Sequence, residues 1–170
     1  MLLSVAICQG RRSGSSFPIV RRHTVFSGRS VTGFPRSPSL WRRTPALVDL
    51  AAILQAFDTS WVIMAGWMHV LSEAFLRHFP SRVVNLHPAL PGAFPGTDSI
   101  QRAYEAYRKG ETDHTGVMVH LVPDEAVDAG PVVVKEVVPI RADDALEDLE
   151  KRIHAVEHRL LVQAVRGLVC

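Results

Sequence analysis

The chain has 170 residues, about the size of one domain. A hydrophobic content of 47% and a charged content of 21% exclude a wholly disordered chain. A net charge of +2 and only two cysteines, Cys8 and Cys170, give no reason to expect a polyanionic partner, a disulfide framework or a zinc knuckle. No apolar run reaches the ~18 residues of a membrane span. The longest candidate, Trp61–Leu71, is short and carries His69.

The charge is unevenly spread. Residues 1–48 contain eight Arg and no Asp, Glu or Lys, whereas the remainder carries 11 basic against 17 acidic residues. Residues 1–45 are rich in Arg, Ser, Pro and Gly, with no clear period beyond the apolar run Leu2–Cys8. This composition fits an organelle transit segment, a disordered basic arm, or sequence foreign to the fold. We expect a boundary near residue 45, with the folded region running over 46–170.

From there the elements follow in order. Ala46–Phe57 has Leu47, Leu50, Ala51, Leu54 and Phe57 at helical spacing. Trp61–Ala65 reads as a buried strand ended by Gly66, and Trp67–Leu71 as the loop after it. Ser72 is placed to cap a helix through Phe79, which Pro80 closes. Arg82–Leu86 is the next strand, and Ser99–Lys109 the next helix, stopped by Gly110. Gly116–Val122 and Pro131–Val138 read as strands. Asp143 or Asp144 is expected to cap a last helix reaching about Arg166, with Glu147–Lys151 and Asp148–Arg152 as i,i+4 pairs. This alternation predicts an α/β layered fold with a mixed, mostly parallel sheet whose last two strands can form an antiparallel pair.

The stretch Val83–Gly96, VVNLHPALPGAFPG, carries the chemistry. Asn85 and His87 lie two apart on extended chain and so point to one side, near the carboxyl end of a strand, where ligands bind in open α/β sheets. A His before Pro can also simply close a strand and bond a carbonyl. What favours a site is the second segment VDAGP, which puts Asp128 in a tight turn between two strands. A carboxylate beside an imidazole raises its pKa and orients it. Asn85, His87 and Asp128, with no Ser or Cys nucleophile nearby, suggest general acid–base and oxyanion work. The plain alternative for Asp128 is an Asx turn.

Other motifs are weaker. His154-Ala-Val-Glu157-His158 matches H-x-x-E-H, a pattern of some zinc sites, but lies on an ordinary amphipathic helix with no distant third ligand, so no metal is expected. Met64 and Met68 read as core filling. The Gly10–Ser16 stretch lacks the strand–loop–helix context of an anion loop.

Taken together, VVNLHPALPGAFPG, the later VDAGPVV and the closing EHRLL resemble glycinamide ribonucleotide formyltransferase, over about Leu47–Val169. The resemblance implies a formyltransferase-like fold and transfer of the formyl group of 10-formyltetrahydrofolate, as co-substrate, to the amine of glycinamide ribonucleotide in purine biosynthesis. It implies that Asn85 holds the formyl oxygen and that His87 acts as the acid. It also implies that Asp128 raises the pKa of His87 and orders a water. Met68, His69, Val70 and Leu71, with Asn85, match the folate-binding positions, and Glu157 matches a helix position directed at the nucleotide. Both partners are small molecules. Neither membrane nor nucleic acid is expected, and the compartment is the cytoplasm unless residues 1–45 are a transit segment. Related members that formylate initiator transfer RNA or hydrolyse formyltetrahydrofolate share the Asn, His and Asp, and form the alternative together with an inactive folate-binding remnant.

Two departures accompany the resemblance. The family's opening strand and G-x-G-S/T-N phosphate loop should precede Leu47, so that βαβ half is expected to be missing or replaced. Asp98 stands where several members carry a His.

Overall fold

The computed structural model describes residues 4–8, 24–26 and 44–169, with side chains over 50–168. The chain divides into two compact units.

The first unit holds residues up to Val84 together with Val122–Glu125. In it, strand β1 (Ser4–Cys8) pairs antiparallel with β2 (Thr24–Phe26) and with β3 (Trp61–Ala65), with Ala6 opposite both Val25 and Ile63. Helix α1 (Thr44–Ala56) and the short α2 (Glu73–Leu76) flank β3 in sequence. Leu50, Ala51 and Leu54 of α1 share a core with Val62 and Met64 of β3, Phe75 and Leu76 of α2, and Phe79. The Phe75 and Phe79 rings lie 5.4 Å apart in a tilted stack, a geometry aromatic pairs favour.

Strand β4 (Val83–His87) begins in this unit and ends in the second. There it is followed by helix α3 (Ser99–Arg108), strands β5 (His114–Leu121) and β6 (Val132–Pro139), and the long helix α4 (Leu146–Val169). The strand order of the second unit is β4-β5-β6, with β5 and β6 antiparallel as expected. Period-two alternation sorts the side chains of β4. Leu86 packs into the core that Val117 of β5, Val134 and Val138 of β6, and Leu149, Ile153, Val156 and Leu160 of α4 build with Ile100 and Tyr104 of α3. Asn85 and His87 therefore face the other side, free of the helical layer.

Several expectations shift at element ends. Phe57 falls beyond α1 and is exposed. The helix expected from Ser72 to Phe79 is a single turn, because Arg77–Pro80 fold into successive tight turns instead. The Ser72 hydroxyl makes no cap; the carboxylate of Glu125 accepts from the Glu73 N–H at 2.8 Å in its place. Neither Asp143 nor Asp144 caps α4. Asp144 accepts from the Arg141 N–H at 2.8 Å and binds the Arg152 fork through both oxygens, which holds its carboxyl down to about 2. Arg152 is thus drawn to Asp144 rather than Asp148, and Lys151 reaches Asp148 at 3.6 Å. Arg152 also donates to the Pro139 carbonyl at 2.9 Å, fastening the start of α4 to the end of β6. Of the Arg-rich segment 1–45, the described residues before α1 are the two short strands β1 and β2. The expectation for the rest lies outside the described residues.

The loop after β4 is seated by a close approach. Leu90 lies over Gly116, where an added Cβ would stand 2.4 Å from Leu90 Cδ2 and 2.5 Å from the Glu136 carbonyl oxygen. Backbone on one side cannot yield as a flexible side chain would. Gly116→Ala is therefore expected to lower unfolding free energy by about 1–3 kcal/mol, the usual cost of overpacking. Denaturant melts of the two chains check this, and equal midpoints would show that the approach is not tight.

Candidate active site

Three elements of the second unit deliver the site. Asn85 and His87 come from the last residues of β4, which runs one residue past the expected end at Leu86. The Pro- and Gly-rich loop 88–98 then folds back over them. Asp128 comes from the turn between β5 and β6, with φ at +52°, a left-handed conformation that Asp tolerates better than most residues.

The Asp128 carboxylate is not spent on its own turn. Oδ1 accepts from the Asn85 side-chain amide at 3.0 Å and Oδ2 accepts from the Gly96 N–H at 2.8 Å, partners 43 and 32 residues away. Oδ2 also stands 3.3 Å from Nδ1 of His87. The three residues singled out in the sequence thus meet around one carboxylate. Gly96 can present its N–H because its φ of +82° is open to glycine.

On the other side of the ring, His87 Nε2 lies 3.2 Å from the carbonyl of Phe94. Phe94 is itself left-handed, with φ at +47°, a strain of the kind that gathers at functional sites. Arg102 of α3 steadies this loop, donating to the Pro95 carbonyl at 2.9 Å with its guanidinium 5.9 Å from the centre of the Phe94 ring. Asp98 lies at the amino end of α3, and its carbonyl accepts the Arg102 N–H.

The electrostatics correct one expectation. Burial is the largest influence on His87, and it pushes the imidazole below its ordinary pKa of 6.5. The Asp128 charge and the Phe94 carbonyl do raise it, but they are outweighed, and His120 and Arg102 add to the lowering. His87 is therefore neutral at neutral pH. Burial also opposes ionisation of Asp128, yet the bonds from His120 and Gly96 and the nearby imidazoles overcome it and leave the carboxyl below its ordinary value of 3.8. At neutral pH the site holds a carboxylate beside a neutral ring.

The sequence reading missed His120. This residue of β5 is 1% exposed. Its Nε2 lies 3.4 Å from both Asp128 Oδ1 and Asn85 Nδ2, and its Nδ1 donates to the Leu121 carbonyl at 2.9 Å. The signal was available: a His in an otherwise apolar buried strand needs polar partners, and β5 is the neighbour of β4.

Met68, His69, Val70 and Leu71 follow β3 in the first unit. Met68 and Val70 are exposed, the His69 ring meets Trp67 edge-on at 5.8 Å, and Leu71 is spent on the first unit's core. Glu157 lies on α4, 3.9 Å from His154. Burial raises its carboxyl above the ordinary value, against the lowering by His154 and His158. Among the described residues, no three His, Cys, Asp or Glu side chains gather as a metal site would require, and no helix is long and apolar enough to cross a membrane.

A part-buried Asn–His–Asp cluster at the end of a strand in a mixed α/β sheet offers the hydrogen-bond donors and the titratable ring that acid–base chemistry on a small electrophile uses. The sequence profile of the family described as Formyl transferase matches residues 13–165. The chain belongs to the formyl transferase family. It is 45% identical over 124 residues to the phosphoribosylglycinamide formyltransferase of Schizosaccharomyces pombe, covering 71% of this chain and 59% of that protein. With the Dictyostelium discoideum protein of the same name it shares 39% over 127 residues, 71% of this chain and 61% of the relative. Among solved structures, glycinamide ribonucleotide transformylase 1 from Geobacillus kaustophilus superposes with a TM-score of 0.70 at 37% identity, over 79% of this chain and 69% of that one. The phosphoribosylglycinamide formyltransferase from Bacillus halodurans gives 0.70 at 33%, over 77% and 66%. The chain thus spans about three fifths of the length of these curated relatives.

The pKa directions carry a consequence for acid. His87 and Asp128 both have folded values below their unfolded ones. Each therefore favours folding fully above its unfolded pKa and loses that contribution as pH falls through its folded value. For His87 the loss begins below pH 6.5. An NMR titration of the His87 ring should give a midpoint below 6.5, and Asp128→Asn should lower it further by removing the charge that raises it. A midpoint at or above 6.5 would contradict the dominance of burial.

Proposed function

We propose that this chain transfers the formyl group of 10-formyltetrahydrofolate to the amine of glycinamide ribonucleotide, a step of purine biosynthesis, in the cytoplasm. The observation that carries the reading is that the Asp128 carboxylate stands 3.0 Å from the Asn85 amide and 3.3 Å from the His87 ring, in a chain of this family.

The chemistry follows from the protonation states. The amine nitrogen bonds to the formyl carbon, and the carbonyl π electrons move to the oxygen. An amide N–H of Asn85 is the donor available to that oxygen, the kind of preorganised donor that stabilises such charge. For the tetrahedral adduct to collapse, the attacking nitrogen must lose a proton and the leaving nitrogen of the folate must gain one. A neutral His87 takes the first proton and, as an imidazolium steadied by the Asp128 carboxylate, returns one to the leaving nitrogen. The C–N bond to folate then breaks, giving the formamide and tetrahydrofolate. His87 thus serves as base first and acid second, which the lowered pKa supports and which the acid-only role read from the sequence did not include.

The exposed apolar side chains of Met68 and Val70 suit a flat heterocycle, and the half-buried Glu157, whose carboxyl burial raises above its ordinary value, suits contact with the nucleotide. The region taken to carry the reaction is residues 46–170.

Steady-state assays with both substrates test the proposal. The wild-type chain should form the formamide product, with His87→Gln and Asp128→Asn each lowering kcat by about 10²–10⁴-fold, the scale of acid–base groups. Turnover insensitive to both substitutions, or absent from the folded wild type, would overturn it.

A further inference from the structure

We propose that His120 is a positioning residue that fixes the amide of Asn85 and the carboxylate of Asp128. This deepens the formyl-transfer reading, on which its effect on rate rests; its geometry stands independently.

The argument starts from donors and acceptors. The Leu121 carbonyl can only accept, so Nδ1 of His120 carries a hydrogen in every protonation state the contact allows. In the neutral ring Nε2 is then an acceptor. Its two neighbours at 3.4 Å are Nδ2 of Asn85, a donor, and Oδ1 of Asp128, an acceptor. Nδ2 of Asn85 is itself 3.0 Å from the same Oδ1. The three atoms form a closed triangle. A neutral His120 accepts from Asn85, and a protonated one donates to Asp128, so one side of the triangle is satisfied in either state.

The triangle settles which way the Asn85 amide faces. Turned over, its carbonyl oxygen would meet a carboxylate oxygen and, in the neutral ring, a nitrogen lone pair. His120 and Asp128 together therefore keep the N–H₂ end inward. One N–H is committed to Asp128. The other meets His120 only at 3.4 Å, a long and weak contact, and is the one a formyl oxygen can capture. The other titratable and charged groups that act on this cluster are His87, which stands 3.3 Å from Asp128, and Arg102 of α3.

The strand supports the same conclusion. Val119 pairs with Val134 but His120 pairs with Val132, so β6 carries one extra residue, Val133, opposite the step from Val119 to His120. Bulges recur beside active sites, where they re-aim a side chain. A ring that is 1% exposed, opposite a bulge, with every nitrogen facing a polar atom, is placed rather than merely packed.

The test uses the full chain and two variants, His120→Leu, which removes both contacts, and His120→Gln, whose amide oxygen can still accept from Asn85. NMR reads the Asn85 side-chain amide signals and the His87 midpoint; circular dichroism reads the fold. His120→Leu should shift the Asn85 amide signals and speed their exchange with solvent. It should also raise the His87 midpoint, since His120 is among the groups that lower it. It should reduce kcat by about 10- to 100-fold, the scale of a misplacement of about 1 Å, with KM little changed. His120→Gln should restore the amide signals and most of kcat. A folded His120→Leu with unaltered Asn85 signals and an unaltered His87 midpoint would overturn the proposal, as would failure of both variants to fold, which would make His120 a core residue. A wild type without turnover would instead count against the formyl-transfer reading, while the NMR readouts would still judge His120.

Discussion

Two oxygens of one carboxylate organise the second unit's site. Asp128 Oδ1 takes the amide of Asn85 and faces His120; Oδ2 takes the backbone of Gly96 and faces His87. Segments far apart in the chain, the end of β4, the loop after it, β5 and the β5–β6 turn, are thereby fixed relative to one another by a single charge. That charge survives burial because donors surround it, whereas an unpaired buried carboxylate would neutralise instead. The strained φ values of Phe94 and Asp128 are held by this same set of bonds. Strain of this kind persists only where its surroundings over-determine it.

The helical layer supplies the rigidity that such a site needs. Alternation along β4 sends Leu86 into the core beneath α3 and α4 and leaves Asn85 and His87 on the opposite face. Arg152 ties α4 to β6 through Asp144 and Pro139. Arg102 ties α3 to the loop that gives His87 its second acceptor. Packing on one face of the sheet thus sets polar geometry on the other.

Much of this was legible in the sequence, for identifiable reasons. Trp61–Ala65 and the antiparallel strands of the second unit were found because β-branched runs between turn residues have few other uses. Asn85, His87 and Asp128 were found because polar groups stood at strand ends within a Pro- and Gly-rich context. What the sequence hid depends on distant partners. Glu125 caps α2 from 52 residues away, Arg152 takes Asp144 from its expected capping role, and no local pattern encodes either. The lowered pKa of His87 was missed because a motif shows the neighbouring carboxylate but not the burial that outweighs it. His120 was passed over because it was read as part of an apolar strand, before β5 was known to lie against β4.

The most direct measure of the central claim is a double-mutant cycle on unfolding free energy with Asn85→Ala, Asp128→Ala and the pair. Residues joined through one shared charge should be non-additive, with a coupling of at least about 0.5 kcal/mol and up to about 3. Strict additivity would mean that Asp128 does not hold Asn85, and that the cluster is a coincidence of neighbouring side chains rather than an organised site.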